Sequence, residues 1–92
     1  MQLIPEEYFP VFTVYILYSP VFDKIYIGFT SDLNQRLLSH NHLSNKGWTK
    51  KYRPWEVIHQ ENFDSKQEAM RREKNLKSGQ GRAWIHSTLL KK

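Results

Sequence analysis

Glu73 is a carboxylate on the wrong side of a helix. In the stretch after Ser65, apolar side chains recur at Ala69, Met70 and Leu76. At about 100° per residue, Glu73 falls roughly 40° from Ala69 and roughly 60° from Leu76, on the stripe that should face a core. Arg71, Lys74 and Asn75 take the opposite side. Burying a carboxylate there costs on the order of several kcal/mol unless a cation or metal compensates. Two readings stand side by side: an acid that does chemistry, and a structural ion pair with an arginine from elsewhere in the chain.

An earlier helical stretch supplies matching groups. Arg36 and His40 lie four residues apart, so they share a face, and they flank Leu33 and Leu37 rather than Gln35 and Ser39. An arginine can grip a phosphate bidentately, a histidine can move a proton, and a metal on Glu73 would polarise the phosphate oxygens. The other reading of His40 is a histidine satisfied at a core edge. Tyr15 and Tyr26, each flanked by β-formers, offer two phenols, one on each arm of a hairpin. Whether they share a sheet face depends on a register that the turn length leaves open.

Competing site chemistries are excluded. His40 and His42 point roughly 160° apart on a helix, and the chain has no cysteine, so no zinc-ligand spacing exists. Gly79-x-Gly81 follows a helix rather than a strand, unlike a phosphate loop. Asp23, Asp32 and Asp64 fall at turns or caps, which leaves one well-placed acid and argues against a two-metal centre.

The elements that must position these residues follow from pattern. Thr13–Tyr18 and Lys24–Phe29 are rich in β-branched and aromatic residues and predict two strands joined through Ser19–Asp23. A helix capped by Ser31 or Asp32 runs to about His42, with Leu33, Leu37 and Leu38 as its apolar face. The run Trp48-Thr49-Lys50-Lys51-Tyr52-Arg53-Pro54-Trp55 predicts a loop, and Trp55–Asn62 a third strand. Ser65 and Glu68 form a capping box for a second helix, which ends near Ser78 with Gly79 as its C-cap. Arg82–Leu90 predicts a short last helix. The fold class expected is α+β: a small three-stranded antiparallel sheet flanked by helices, in the order β-β-α-β-α-α. Residues 1–10, broken by Pro5 and Pro10, read as an N-terminal extension, and 11–92 as a single domain.

Composition bounds the function. The 92 residues are 39% apolar with five Phe, five Tyr and three Trp, enough aromatic volume for one core. The longest early apolar stretch, Val11 to Tyr18, is too short to cross a bilayer, and the opening residues lack a basic leader. A cytoplasmic protein without a membrane role is therefore expected. The net charge of +5 attracts phosphate polyanions. Cations interleave with rings in the 48–55 run, where Lys50, Lys51 and Arg53 suit phosphates and the rings suit exposed bases. Lys74 and Lys77 extend the basic surface.

Taken together, Val14-Tyr15-Ile16 and Tyr26-Ile27-Gly28 resemble the paired motif of the GIY-YIG nucleases. Arg36 and His40 follow on the next helix, and Glu68-Ala69-Met70-Arg71-Arg72-Glu73 is similar to that family's metal-binding helix. The likeness spans about Thr13 to Lys77 and is nearest to small stand-alone members similar to the N-terminal nuclease domain of the excision-repair endonuclease subunit. Thr13 stands where the first motif usually has glycine, and Phe29 where the repair subunit has lysine. The resemblance implies that Tyr15 and Tyr26 orient or deprotonate the attacking water. Arg36 would steady the phosphate, His40 assist proton transfer, and Glu73 hold one Mg²⁺ or Mn²⁺.

The function expected is a divalent-metal-dependent endonuclease hydrolysing phosphodiester bonds in DNA, ahead of RNA, with a structure-specific or repair-related role. Its specificity would come from DNA structure or from a protein partner. The alternative is a non-catalytic nucleic-acid-binding module on the same fold.

Overall fold

A computed structural model describes residues 11–43 and 47–91, so the N-terminal extension expected at 1–10 lies outside the described residues. Strand β1 (Phe12–Ser19) is the centre of a three-stranded antiparallel sheet, between β2 (Lys24–Thr30) and β3 (Glu56–Phe63). A strand covered on both faces needs apolar side chains in both directions. The unbroken run Val14-Tyr15-Ile16-Leu17 meets that demand, and all four are buried.

The two faces carry separate clusters. Val14, Ile16 and Ile27 pack against Ala69 and Leu76 of helix α3 (Lys66–Lys77) and against Ile85. Tyr15, Leu17 and Trp55 pack on the other face with Tyr26, Leu33, Leu37, Tyr52 and Val57. This second cluster is roofed by helix α1 (Leu33–Leu38), the π-helical turn Ser39–Leu43 and a single helical turn, α2 (Trp48–Lys51). The α+β sandwich is present, and the element order expected from the pattern is met with one addition, the single-turn α2 before β3.

Local chemistry fixes the boundaries, and several differ from the sequence reading. Asp32, not Ser31, caps α1, its carboxylate accepting from Gln35 N at 3.0 Å. The first helix closes as α-helix at Leu38 and widens into the π turn, and Leu38 faces solvent instead of the core. The 48–55 run holds the one-turn α2 rather than a plain loop, because Trp48 and Tyr52 fold back onto each other's rings. Met70 on α3 is exposed, so the apolar stripe there is narrower than the sequence suggested.

Gly79 does not cap α3. Ser78 ends that helix, and its hydroxyl then accepts from Gly81 N at 3.2 Å to cap helix α4 (Gly79–Trp84). The last helical stretch therefore starts three residues earlier than expected and finishes as a second π-helical turn, Ile85–Leu89.

Gly81 is where the α3–α4 corner needs a glycine. It is buried, and a Cβ there would run into Asn75 O and the Leu76 backbone. Backbone cannot retreat as a side-chain tip can. Gly81→Ala is expected to cost about 3 kcal/mol by overpacking, read as a lowered urea midpoint with an unchanged slope. A midpoint equal to wild type would mean the corner is more pliant than its packing implies.

Candidate active site

The hairpin settles the tyrosines. Ser19 pairs with Lys24, and the four-residue loop between them closes with Asp23 N donating to Ser19 O at 2.7 Å. Asp23 takes a positive φ of 55°, and its carboxylate accepts from the Tyr18 hydroxyl at 2.8 Å. The resulting register places Tyr15 opposite Gly28 and Leu17 opposite Tyr26, so both tyrosines share one face. Their rings stack at 6.1 Å with 25° between planes. Gly28 provides the room: a Cβ there would lie 2.7 Å from Tyr15 Oη and 3.0 Å from Tyr26 Cε1.

His40 completes a cluster with the two phenols. The π turn that follows α1 swings its ring inward, leaving it 7% exposed. Such turns displace side chains from ordinary helical phase and recur at functional sites. His40 Nε2 lies 3.1 Å from Tyr15 Oη, and its ring centre 4.6 Å from that of Tyr26. Arg53 holds the turn in place, its Nε donating to His40 O at 2.6 Å. Asn41 ties the same turn to the start of β3, donating to Trp55 O at 2.9 Å and accepting from Trp55 N at 2.7 Å.

These surroundings set the protonation states. Burial, then the charges of Arg36 and Arg53, hold His40 below its ordinary 6.5, so the imidazole is neutral at pH 7. Burial and the adjacent Tyr26 phenol push the Tyr15 hydroxyl well above the usual phenol range, while Arg36 pulls it down and Glu73 adds to the rise. Tyr15 is thus a protonated phenol facing a neutral imidazole, whose tautomer decides which of the two donates. Its hydroxyl also lies within electrostatic reach of both Arg36 and Glu73.

The neutral His40 carries a pH signature. An unfolded histidine takes up a proton near 6.5, whereas the folded ring resists until lower pH. The stability it contributes is complete above 6.5 and falls as pH drops from there through the folded value. NMR titration of His40 is expected to give a midpoint below 6.5. A midpoint at or above it would mean that burial and the two arginines do not govern this ring.

Arg36 sits exposed in the last turn of α1, beside a shallow concavity shared with Thr30, Asp32, Gln35 and Ser39. Glu73 is half-buried, its side chain 22% exposed, and it meets Lys77 one turn on at 3.6 Å. The structural ion pair that the sequence left open for Glu73 belongs instead to Glu61, which accepts from Arg72 Nε at 2.9 Å and from its terminal nitrogen at 3.0 Å. His59 Nε2 lies 2.7 Å from the same carboxylate. Sequence reasoning missed this pair because the register shift in β3 decides which face Glu61 points to. Only the packing of α3 along that strand brings Arg72 to it.

The remaining basic residues distribute unevenly. Lys50 and Lys51 lie exposed on α2 and Lys74 on α3. Arg53 is half-buried and Lys77 is turned toward Glu73. Among the described residues no cluster of three His, Cys, Asp or Glu exists, and no helix is long and apolar enough to cross a membrane. A metal held wholly by side chains therefore does not fit. One hard carboxylate with solvent on its open side does fit Mg²⁺ or Mn²⁺, which retain waters and take further oxygens from a phosphate.

Comparison with known proteins places this arrangement. The family profile described as the GIY-YIG catalytic domain matches residues 11–84. The UPF0213 protein of Staphylococcus saprophyticus is 37% identical over 55 residues, covering 60% of this chain and 67% of its own. That of Natronomonas pharaonis is 37% identical over 65 residues, covering 71% and 75%. The solution NMR structure of a UPF0213 protein from Bacillus halodurans superposes with a TM-score of 0.51 at 29% identity, covering 84% of this chain and 83% of that one.

Proposed function

The chain belongs to the GIY-YIG catalytic domain family, and from that premise we propose that it is a divalent-metal-dependent endonuclease cleaving phosphodiester bonds in DNA. One observation carries the reading. The Tyr15 hydroxyl faces Nε2 of a neutral, buried His40 at 3.1 Å, within the fields of Arg36 and Glu73. Two charged groups on separate helices, Arg36 and Glu73, also act electrostatically on the same phenol.

Each residue then has a task. Arg36, exposed at a helix end, binds the scissile phosphate and offsets charge gathering on its oxygens. Water beside Tyr15 gives its proton to Tyr15 Oη while that phenol passes its own to His40 Nε2, with the ring proton of His40 resting on Nδ1. The hydroxide oxygen bonds to phosphorus and the leaving-group oxygen departs with the former bonding pair. Tyr26, stacked on Tyr15 and against His40, keeps both rings aligned. Glu73 would hold one Mg²⁺ or Mn²⁺, which supplies Lewis-acid stabilisation of the leaving oxygen. Lys50, Lys51 and Lys74 would track the strand by phosphate contacts, with Arg53 and Lys77 supporting that surface. A structure-specific or repair-related role, with specificity supplied by a partner protein, extends the same proposal.

Incubating the protein with a panel of single-stranded, duplex and branched DNA and RNA, with Mg²⁺ or Mn²⁺ and with EDTA, tests it. Cleavage is expected with metal, none with EDTA, and a loss of at least about 100-fold in Tyr15→Phe, in line with removal of a proton-transfer group. Binding without cleavage of any substrate would instead favour the non-catalytic nucleic-acid module.

A further inference from the structure

Next to the tyrosine pair, a row of rings runs outward to solvent. Trp55 is buried and edges onto Tyr26 at 6.4 Å. Trp48 lies against it at 5.6 Å and against Tyr52 at 4.8 Å, and Phe22 at the tip of the hairpin meets Tyr52 edge-on at 5.5 Å. The inner end is anchored, with Trp55 Nε1 donating to Thr49 O at 2.8 Å. The outer end is not covered: Trp48 is 46% exposed and Phe22 45%. Lone exposed apolar residues need no explanation. Two large exposed rings that both pack on one tyrosine, in a row continuous with the tyrosine pair, are a patch with a direction.

Charge says what the patch suits. Lys24 Nζ stands 5.6 Å from the centre of the Tyr52 ring, and Lys51 is exposed on α2 beside Trp48. Cations set among upright aromatic faces match a strand whose bases are free to stack and whose phosphates alternate with them. A duplex keeps its base faces stacked internally and offers none. We infer that the row of rings ending in Trp48 and Phe22 is a stacking platform for unpaired bases, so the preferred substrate carries a single-stranded segment next to the scissile bond. This rests on the nucleic-acid reading of the site above, and it adds the substrate class.

The test is binding, not cleavage. In EDTA, fluorescence anisotropy would follow wild type, Trp48→Ala, Phe22→Ala and Lys24→Ala on labelled oligo-dT, oligo-U, an abasic strand and a duplex of equal length. Single strands are expected to bind more tightly than duplex, and each aromatic variant to lose about tenfold on base-bearing strands, in line with one lost stacked base. Neither aromatic variant should weaken the abasic strand further. Lys24→Ala is expected to lower the salt slope by about 0.7, one single-strand phosphate contact. The Phe22 variant, at a hairpin tip, guards against a folding effect at Trp48, and circular dichroism checks both. Equal binding of oligo-dT by wild type and both aromatic variants overturns the platform, as does a preference for duplex or no binding at all. Metal-dependent cleavage of duplex alongside that result would sink the platform and keep the nuclease. Aromatic-dependent strand binding by a protein that cuts nothing would do the reverse.

Discussion

Glu73→Gln is expected to abolish cleavage, by about 1,000-fold or more, while leaving the fold almost untouched. The magnitude follows from the role proposed for Glu73 as ligand of a charge-stabilising cation, a loss comparable with removing a key electrostatic group from other active sites. The small structural cost follows from the partner. Among the described residues Glu73 pairs with Lys77, at 3.6 Å on the same half-exposed helix face, and such i,i+4 pairs are worth about 0.3–0.5 kcal/mol. Glu61→Gln should behave in the opposite way. That carboxylate accepts two bonds from Arg72 and stands against His59, so losing its charge is expected to cost about 1.5–3 kcal/mol. Cleavage at saturating metal should stay near wild type.

Acid separates the two as well. Arg72, working against partial burial and helped by His59, holds Glu61 below the ordinary 4.5. The stability from this pair is therefore complete above 4.5 and is lost as pH falls through the lower folded value. Urea midpoints measured from pH 6 downward should show that loss in wild type and less of it in Glu61→Gln. Inactive Glu61→Gln beside active Glu73→Gln would reverse the two assignments and remove the basis for the metal site.

That pair of carboxylates also marks where sequence reading stops. Helical phase was enough to single out Glu73, because a 100° step places it on a stripe whatever the tertiary structure. It could not show how deeply the stripe is buried, and Met70 turned outward because the sheet beneath α3 offers a narrower footprint. Glu61 was invisible for the complementary reason. Its alternation in β3 is set locally, but the face it points to is decided by the register shift opposite Ile16 and Leu17, where Ile16 pairs with His59 and Leu17 with Val57. Beyond that bulge, His59, Glu61 and Phe63 fall on the face that α3 covers.

The tyrosines tell the same story. Their types and spacing were legible, yet their common face depended on a loop pairing Ser19 with Lys24, a choice made by the Asp23 backbone and its bond to Tyr18. His40 was legible as a core-edge ring. The π turn that drives it inward, and the Arg53 and Asn41 bonds that hold that turn, come from residues distant in sequence.

Gly28→Ala is expected to slow cleavage by about 100-fold in a protein that still folds. A methyl group at this position would sit 2.7 Å from Tyr15 Oη and 2.9 Å from Tyr15 Cζ. Against an ordinary contact of about 3.4 Å or more, the phenol must retreat by about 0.7 Å. A ring tip can move where backbone cannot, so the stability cost is held to about 1–2 kcal/mol. The direction of retreat is what matters. Tyr15 is buried, Tyr26 stacks on one side, and His40 Nε2 is hydrogen-bonded to its hydroxyl at 3.1 Å. A displacement of this size directed away from His40 stretches that bond beyond hydrogen-bonding range, and one directed at Tyr26 pushes that ring from its place against His40. Misplacement of a reacting group by about 1 Å costs on the order of 100-fold. The loss should appear in kcat with KM little changed, because Arg36 on α1 and the exposed lysines of α2 and α3 that bind the strand are carried by other elements than Gly28. The mutant's His40 titration should move upward as well, since a loosened phenol admits water and relieves the burial that lowers it. A Gly28→Ala protein that cleaves at the wild-type rate, with His40 titrating as before, would show that the contact between Tyr15 and His40 has no part in the chemistry.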